Sequence, residues 1–203
     1  MNSPLTALAI SCTLKPSPAE SSSDLLARQL LDALAGHGVT GDLVRAVDLD
    51  LSPGVEKDMG GGDQWPSVRR KVLEADILVF VTPTWMGQHS SVAQRVLERL
   101  DAELGETDAR GRPTLFDKVA IAGVLGNEDG AHHISAILFQ ALNDVGYTIP
   151  AQTSVYWNGE AMQTVDYKDL DETPEAVSSA IATAARNAAH LARQLRAQEY
   201  PAG

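Results

Sequence analysis

The chain has 203 residues and a mass of 21.6 kDa, which suits one ordinary globular domain, and we read residues 1–203 as that domain. Sixteen Lys and Arg against 27 Asp and Glu give a net charge of −11 with no basic block, which argues against nucleic acid or an anionic membrane as partner. A single cysteine, Cys12, excludes an intrachain disulfide framework and a Cys-rich metal or iron–sulfur site, and no apolar run approaches the roughly 20 residues of a membrane span.

Strand-like and helix-like stretches alternate along the chain. Leu5–Ser11 is a short apolar run that reads as a first strand. Leu26, Leu30, Ala33 and Leu34 then recur at helical spacing over 24–34, with Ser22 or Ser23 as the expected cap. A second strand is predicted over 42–47. The stretch 48–65 lacks periodicity, and such a loop in a small domain is often functional or interfacial. A short helix over 67–74 leads to the strongest strand, 76–82 (DILVFVT), whose unbroken apolar character suits a strand covered on both faces. Ser90 or Ser91 caps a helix with Val92, Val96, Leu100 and Leu104 on one face. A strand at 119–125 (VAIAGVL) and a helix ending near Gly146 follow. The run 147–157 reads as a fifth strand interrupted at Pro150. Thr173-Pro174 reads as the cap and first position of a long Ala-rich helix. The order predicts an α/β fold, an open doubly wound five-stranded parallel sheet with helices on both faces. Ligands of such sheets lie in the loops beyond the carboxyl ends of the strands.

Three of those loops stand out. The first, 11–23 (SCTLKPSPAESSS), places hydroxyls and Lys15 before a helix N-terminus; it is either an anion site suited to a phosphate or an ordinary capped turn. It contains no Gly-x-Gly-x-x-Gly and no Gly-Lys-Ser/Thr, which excludes the usual dinucleotide fingerprint and a P-loop. The second, 82–91 (TPTWMGQHSS), offers the flat face of Trp85 to a planar heterocycle and lets the backbone approach closely at Gly87. The third, 126–133 (GNEDGAHH), has paired histidines, but neighbours on a helix point apart and further ligands are lacking, so no metal is expected. Cys12 reads as a small residue at the end of a buried strand rather than as a redox group. Arg69, Arg70 and Lys71, and the pair Arg95 and Arg99, read as solvated surface charges.

These loops, in this order after these strands, resemble the flavodoxin-like NADPH-dependent FMN reductase and NAD(P)H:quinone oxidoreductase family. TPTWMGQHSS, GNEDGAHH and the following LNDVGYTIPAQ carry the resemblance over nearly the whole chain. It implies FMN as cofactor and NAD(P)H as electron donor. It further implies that Ser11, Thr13, Ser22 and Ser23, with Lys15, surround the phosphate. Pro83, Thr84, Trp85, Met86, Gly87 and Gln88 would line one side of the isoalloxazine. Gly126, Asn127, Glu128, Asp129 and Gly130 would meet its pyrimidine edge, with His133 near the ring in a proton or charge role.

The expected protein is therefore a cytoplasmic FMN-binding oxidoreductase that passes hydride from NAD(P)H to FMN and on to a flavin or quinone-like small molecule. The alternatives are a flavodoxin-type electron carrier without its own NAD(P)H turnover and a non-catalytic flavin- or nucleotide-binding module. A homodimer or homotetramer is expected, with 48–65 and Trp65 as candidates to cover the open ring face, and Trp157 as a further candidate for the rim.

Overall fold

A computed structural model describes residues 4–201. The elements are β1 (Leu5–Ser11), α1 (Ser22–Ala35), β2 (Val39–Arg45), α2 (Trp65–Glu74), β3 (Ile77–Trp85), β4 (Gln88–His89), α3 (Ser91–Leu100), β5 (Val119–Gly126), α4 (Ala131–Asp144), β6 (Ser154–Asn158) and α5 (Glu175–Ala197). The main sheet is parallel, in the order β2-β1-β3-β5-β6, and β4 turns back antiparallel on the end of β3. The reversal of winding falls between β1 and β3, which is where a doubly wound sheet opens a crevice.

The central strands form as the sequence predicts, because β3 and β5 are covered on both faces. On one face α2, α3 and α4 bring Val68, Val72, Val96, Ile134 and Leu138 onto Leu8, Phe80 and Ala122. On the other, α1 and α5 bring Leu26, Leu30, Ile181 and Ala185 onto Ala9, Val79 and Ile121. The alanines of α5 at 184, 185, 188, 189 and 192 are all buried, which lets the helix lie close to the sheet.

Several expectations are corrected. The second strand begins at Val39, since its pairing with β1 runs from Leu5↔Val39 to Ser11↔Arg45. The fifth predicted strand shrinks to Ser154–Asn158, and the only pairing before it is the isolated bridge Val119↔Thr148. Pro150 and the Thr153 hydroxyl bonded to its carbonyl hold that stretch in a turn instead. Ser21, not Ser22 or Ser23, caps α1, and Pro174 rather than Thr173 occupies the cap position of α5.

The 48–65 loop is fastened to the core. Trp65 is fully buried, so it forms no part of a pocket rim. Arg99 is buried too: it pairs with Asp63 at 2.8 Å, donates to the Ser52 carbonyl and lies 5.7 Å from the centre of the Trp65 ring. Arg69 binds the buried Glu103 at 2.5 Å. The solvated reading fails for both arginines because their partners lie more than 30 positions away in sequence. Arg70 and Arg95 are exposed, as expected.

Candidate functional site

A pocket of about 430 Å³ opens beyond the carboxyl ends of β1, β3 and β5. Its floor at one end is the N-terminus of α1. Thr13, Lys15, Ser21, Ser22 and Ser23 line it there. The first amides of a helix have no intrahelical acceptor, so this end is suited to an anion. In the first turn of α1 the Asp24 amide is taken by the Ser21 hydroxyl at 3.4 Å, and the helix ladder begins with the Leu25 amide on the Ser21 carbonyl.

The long loop before α1 is held open from behind. Arg45, the last residue of β2, donates to the Lys15 and Ala19 carbonyls and closes a two-point ion pair on Asp24. Asp48 accepts from the Ser17 N–H and hydroxyl, which holds its carboxyl below the ordinary range. Ser11 is fully buried and its hydroxyl donates to Asp24 Oδ1 at 2.5 Å, so it is turned to that carboxylate rather than to the pocket. Cys12 is buried among apolar side chains, and burial pushes its thiol far up. That environment disfavours the thiolate that redox chemistry needs.

The other walls come from the two ring loops. Pro83, Thr84 and Trp85 line the pocket on the β3 side, and Gly126, Asn127 and Glu128 on the β5 side. Met86 and Gly87 lie outside the lining and make the two-residue turn between β3 and β4, with φ of 53° and 71°. Positive φ at both central positions is the turn that suits a tight hairpin, and glycine at the second meets it without strain. The Glu128 carboxylate accepts from the N–H groups of Met86 and Gly87 at 2.7 and 3.2 Å. Gly130 comes so close to Gly87 that a Cβ there would sit 2.9 Å from its backbone. Asp129 folds back onto the Gly130 N–H. His133 Nε2 reaches Gln88 Oε1 at 3.2 Å, which ties α4 to the hairpin outside the lining. His132 packs edge-on against Tyr156 instead.

The remaining wall was not foreseen. After β6 the chain crosses the pocket as a strap, and Ala161, Met162, Gln163, Asp166 and Tyr167 line it. The strap is tied down by Asn127 to Asp166 and Gln163, by Lys15 to Asp166 at 3.7 Å, by the Lys168 N–H to the Ser22 hydroxyl, and by the Tyr167 hydroxyl to Gln29. Burial pushes the Tyr167 hydroxyl up, so it serves as a neutral donor. Trp157, named for the rim, lines the pocket and packs 5.5 Å from Tyr167.

The donor set fits FMN. The anion end has hydroxyls and helix amides, and the middle is apolar. Two polar atoms, Thr84 Oγ1 and Asn127 Oδ1, are buried without a partner among the described residues. Buried polar groups normally find one, so the pocket has polar capacity to spare for a ligand.

A model of the NADPH-dependent FMN reductase family matches residues 5–161. The chain belongs to this family. Membership makes it a flavoprotein oxidoreductase with FMN as cofactor and NAD(P)H as electron donor. The chain is 32% identical over 208 residues to 8-demethyl-8-aminoriboflavin-5′-phosphate synthase of Streptomyces davaonensis, covering 97% of this chain and 80% of that one. The crystal structure of RosB with bound 8-demethyl-8-formylriboflavin-5′-phosphate superposes with a TM-score of 0.86 at 30% identity, over 97% of this chain and 82% of that one. A 40% identical stretch of 169 residues also occurs in a divalent metal cation transporter, MntH, of Mycobacterium bovis; it takes in 81% of this chain but only 25% of that protein. No described helix of this family member is long and apolar enough to cross a membrane. The family match ends at residue 161, within the strap, whereas the similarity to the 32% identical relative covers 97% of this chain.

Proposed function

We propose that this chain, as one domain, holds FMN in the pocket between β1, β3 and β5 and transfers two electrons from NAD(P)H to a small planar acceptor such as a free flavin or a quinone. The observation that carries this reading is the pocket itself: an anion-binding helix end, an apolar middle with Trp85 and Trp157, and two unpartnered buried polar atoms. Bound FMN supplies the redox centre. Thr13 and Ser21 to Ser23 bind the phosphate, with Lys15 at hand. The two ring loops orient the ring system, and the strap excludes water. His133, bonded to Gln88 at the hairpin, holds the hairpin and serves a proton or charge role from there. A second copy of the chain covers the exposed apolar rim of Leu14, Trp85, Met86, Met162 and Val165. A cytoplasmic setting rests on composition alone. NADPH oxidation by the FMN-loaded protein with a quinone as acceptor is the test. A protein that binds FMN yet shows no such turnover is a carrier.

A second reading is favoured by the relative of 32% identity, whose name makes a modified riboflavin phosphate its product, and by RosB, which holds a riboflavin phosphate intermediate. Here the same pocket takes riboflavin-5′-phosphate as substrate. Mass spectrometry of the flavin after incubation separates the two: unchanged FMN with NADPH consumed supports the first, and an altered flavin mass supports the second.

A further inference from the structure

The Glu128 carboxylate is placed unusually for a residue on a ligand pocket. It lines the pocket, but both its oxygens are engaged by successive amides of the opposite loop, Met86 N–H at 2.7 Å and Gly87 N–H at 3.2 Å. Those amides converge because both residues have positive φ, and successive amides in that conformation form a concavity that binds anions. Glu128 thus fills from within the chain an anion site that the hairpin turn creates. None of the ion pairs among the described residues involves Glu128; its carboxylate is held by the two amides.

The link joins two segments that pack with little slack. β3 and β5 pair as far as Pro83↔Leu125, a Cβ on Gly126 would meet Thr84 at 2.9 Å, and one on Gly130 would meet the Gly87 backbone at 2.9 Å. Without Glu128 the turn, with the non-glycine Met86 at φ 53°, loses the acceptor that orients its amides.

We propose that Glu128 is a positioning residue that pins the β3–β4 turn to the β5–α4 loop and places a fixed negative charge on the pocket wall, making bound FMN harder to reduce. The proposal rests on the reading of this pocket as the FMN site. A reduced flavin carries more negative charge than an oxidised one, so a nearby carboxylate weakens binding of the reduced form more. Glu128 therefore acts on the preference between the two forms as well as on the shape of the site.

The test has two parts. FMN is first titrated into the wild-type protein. Absence of binding overturns the site reading and this proposal together. With binding established, the midpoint potential of bound FMN is measured anaerobically against a reference dye for wild type, Glu128→Gln and Glu128→Asp. Gln keeps one acceptor oxygen and the shape but drops the charge. It should favour reduced over oxidised FMN by three- to tenfold more than wild type, a rise of about 15–30 mV for a two-electron couple. Asp keeps the charge on a shorter stem; it should leave the potential near wild type and weaken FMN binding severalfold. Glu128→Ala, a second charge-removing variant should Gln not fold, should raise the potential and weaken binding together. An unchanged potential in the folded charge-removing variant, or an Asp variant shifted as far as Gln, overturns the role of Glu128 while leaving the FMN site standing.

Discussion

Arg45 closes a two-point ion pair on Asp24, at 2.8 Å from Nε and 2.6 Å from Nη2, with each side chain only 11% exposed. The pair joins the end of β2 to the first turn of α1, behind the hydroxyl-rich end of the pocket. An acidic residue one turn into a helix that is meant to bind phosphate would otherwise oppose the ligand. Arg45 neutralises it and uses its other nitrogen to hold the Lys15 and Ala19 carbonyls.

Arg45→Ala should leave Asp24 buried and unpaired beside Ser11. Removing one partner of such a pair costs about 3 kcal/mol. The urea midpoint should fall, and FMN affinity should fall more than riboflavin affinity, since the fault lies at the phosphate end. Equal losses for the two ligands would place the effect elsewhere.

Thr84→Val separates the free protein from the complex. Thr84 is 4% exposed and its hydroxyl has no partner among the described residues. Replacing an unsatisfied hydroxyl by a methyl should leave the ligand-free protein at least as stable as wild type. If the hydroxyl serves the ligand, FMN affinity should drop about fivefold, equivalent to about 1 kcal/mol. Thermal unfolding without ligand and fluorescence titration with it give the two numbers.

The Asp63–Arg99 pair predicts a pH dependence. Burial pushes the Asp63 carboxyl up, but the N–H groups of Met59, Trp65 and Ser52 and the Arg99 guanidinium outweigh it and hold it below its ordinary 3.8. A carboxyl depressed in the folded state contributes stability that is present above its unfolded value and is lost as pH falls through the folded one. Asp63→Asn should therefore be less stable than wild type near neutrality, and the gap should narrow below about pH 4. Urea unfolding of both proteins from about pH 6 to about pH 2.5 reads the gap. A gap of constant size would contradict the assignment.

Gly130→Ala tests the contact between the two ring loops. Gly130 has φ of 142°, and an added Cβ would meet Gly87 Cα and O at 2.9 Å. Backbone strain of this kind costs of order 1–3 kcal/mol. Both stability and FMN affinity should fall. Gly60→Ala, also at positive φ but with nothing within 4 Å, should lower stability less and leave FMN affinity unchanged.

The sheet and two of the three loops were legible because their signals are local. The unbroken apolar runs of β3 and β5 announce strands covered on both faces, and a Trp in a short loop at the strand end announces a ligand wall. What was hidden depends on long-range contacts. β4 is two residues long and exists only through its pairing with Thr84 and Trp85. The strap from Gly159 to Leu170 is polar and aperiodic, so nothing in its own composition says that Asp166 and Tyr167 face a pocket; that follows from Lys15, Ser22, Gln29 and Asn127, all more than 35 positions away. Trp65 and Arg99 were misread for the same reason, since burial of the arginine requires Asp63 across the fold.

The central claim is that the pocket beyond β1, β3 and β5 binds FMN with its phosphate at the start of α1. Parallel fluorescence titrations of the purified protein with FMN and with riboflavin test it directly. The account predicts saturation at one FMN per chain, quenching of flavin fluorescence beside Trp85 and Trp157, and riboflavin binding at least about tenfold weaker for want of the charged phosphate contacts. Riboflavin binding as tightly as FMN, or no quenching by either, would contradict it.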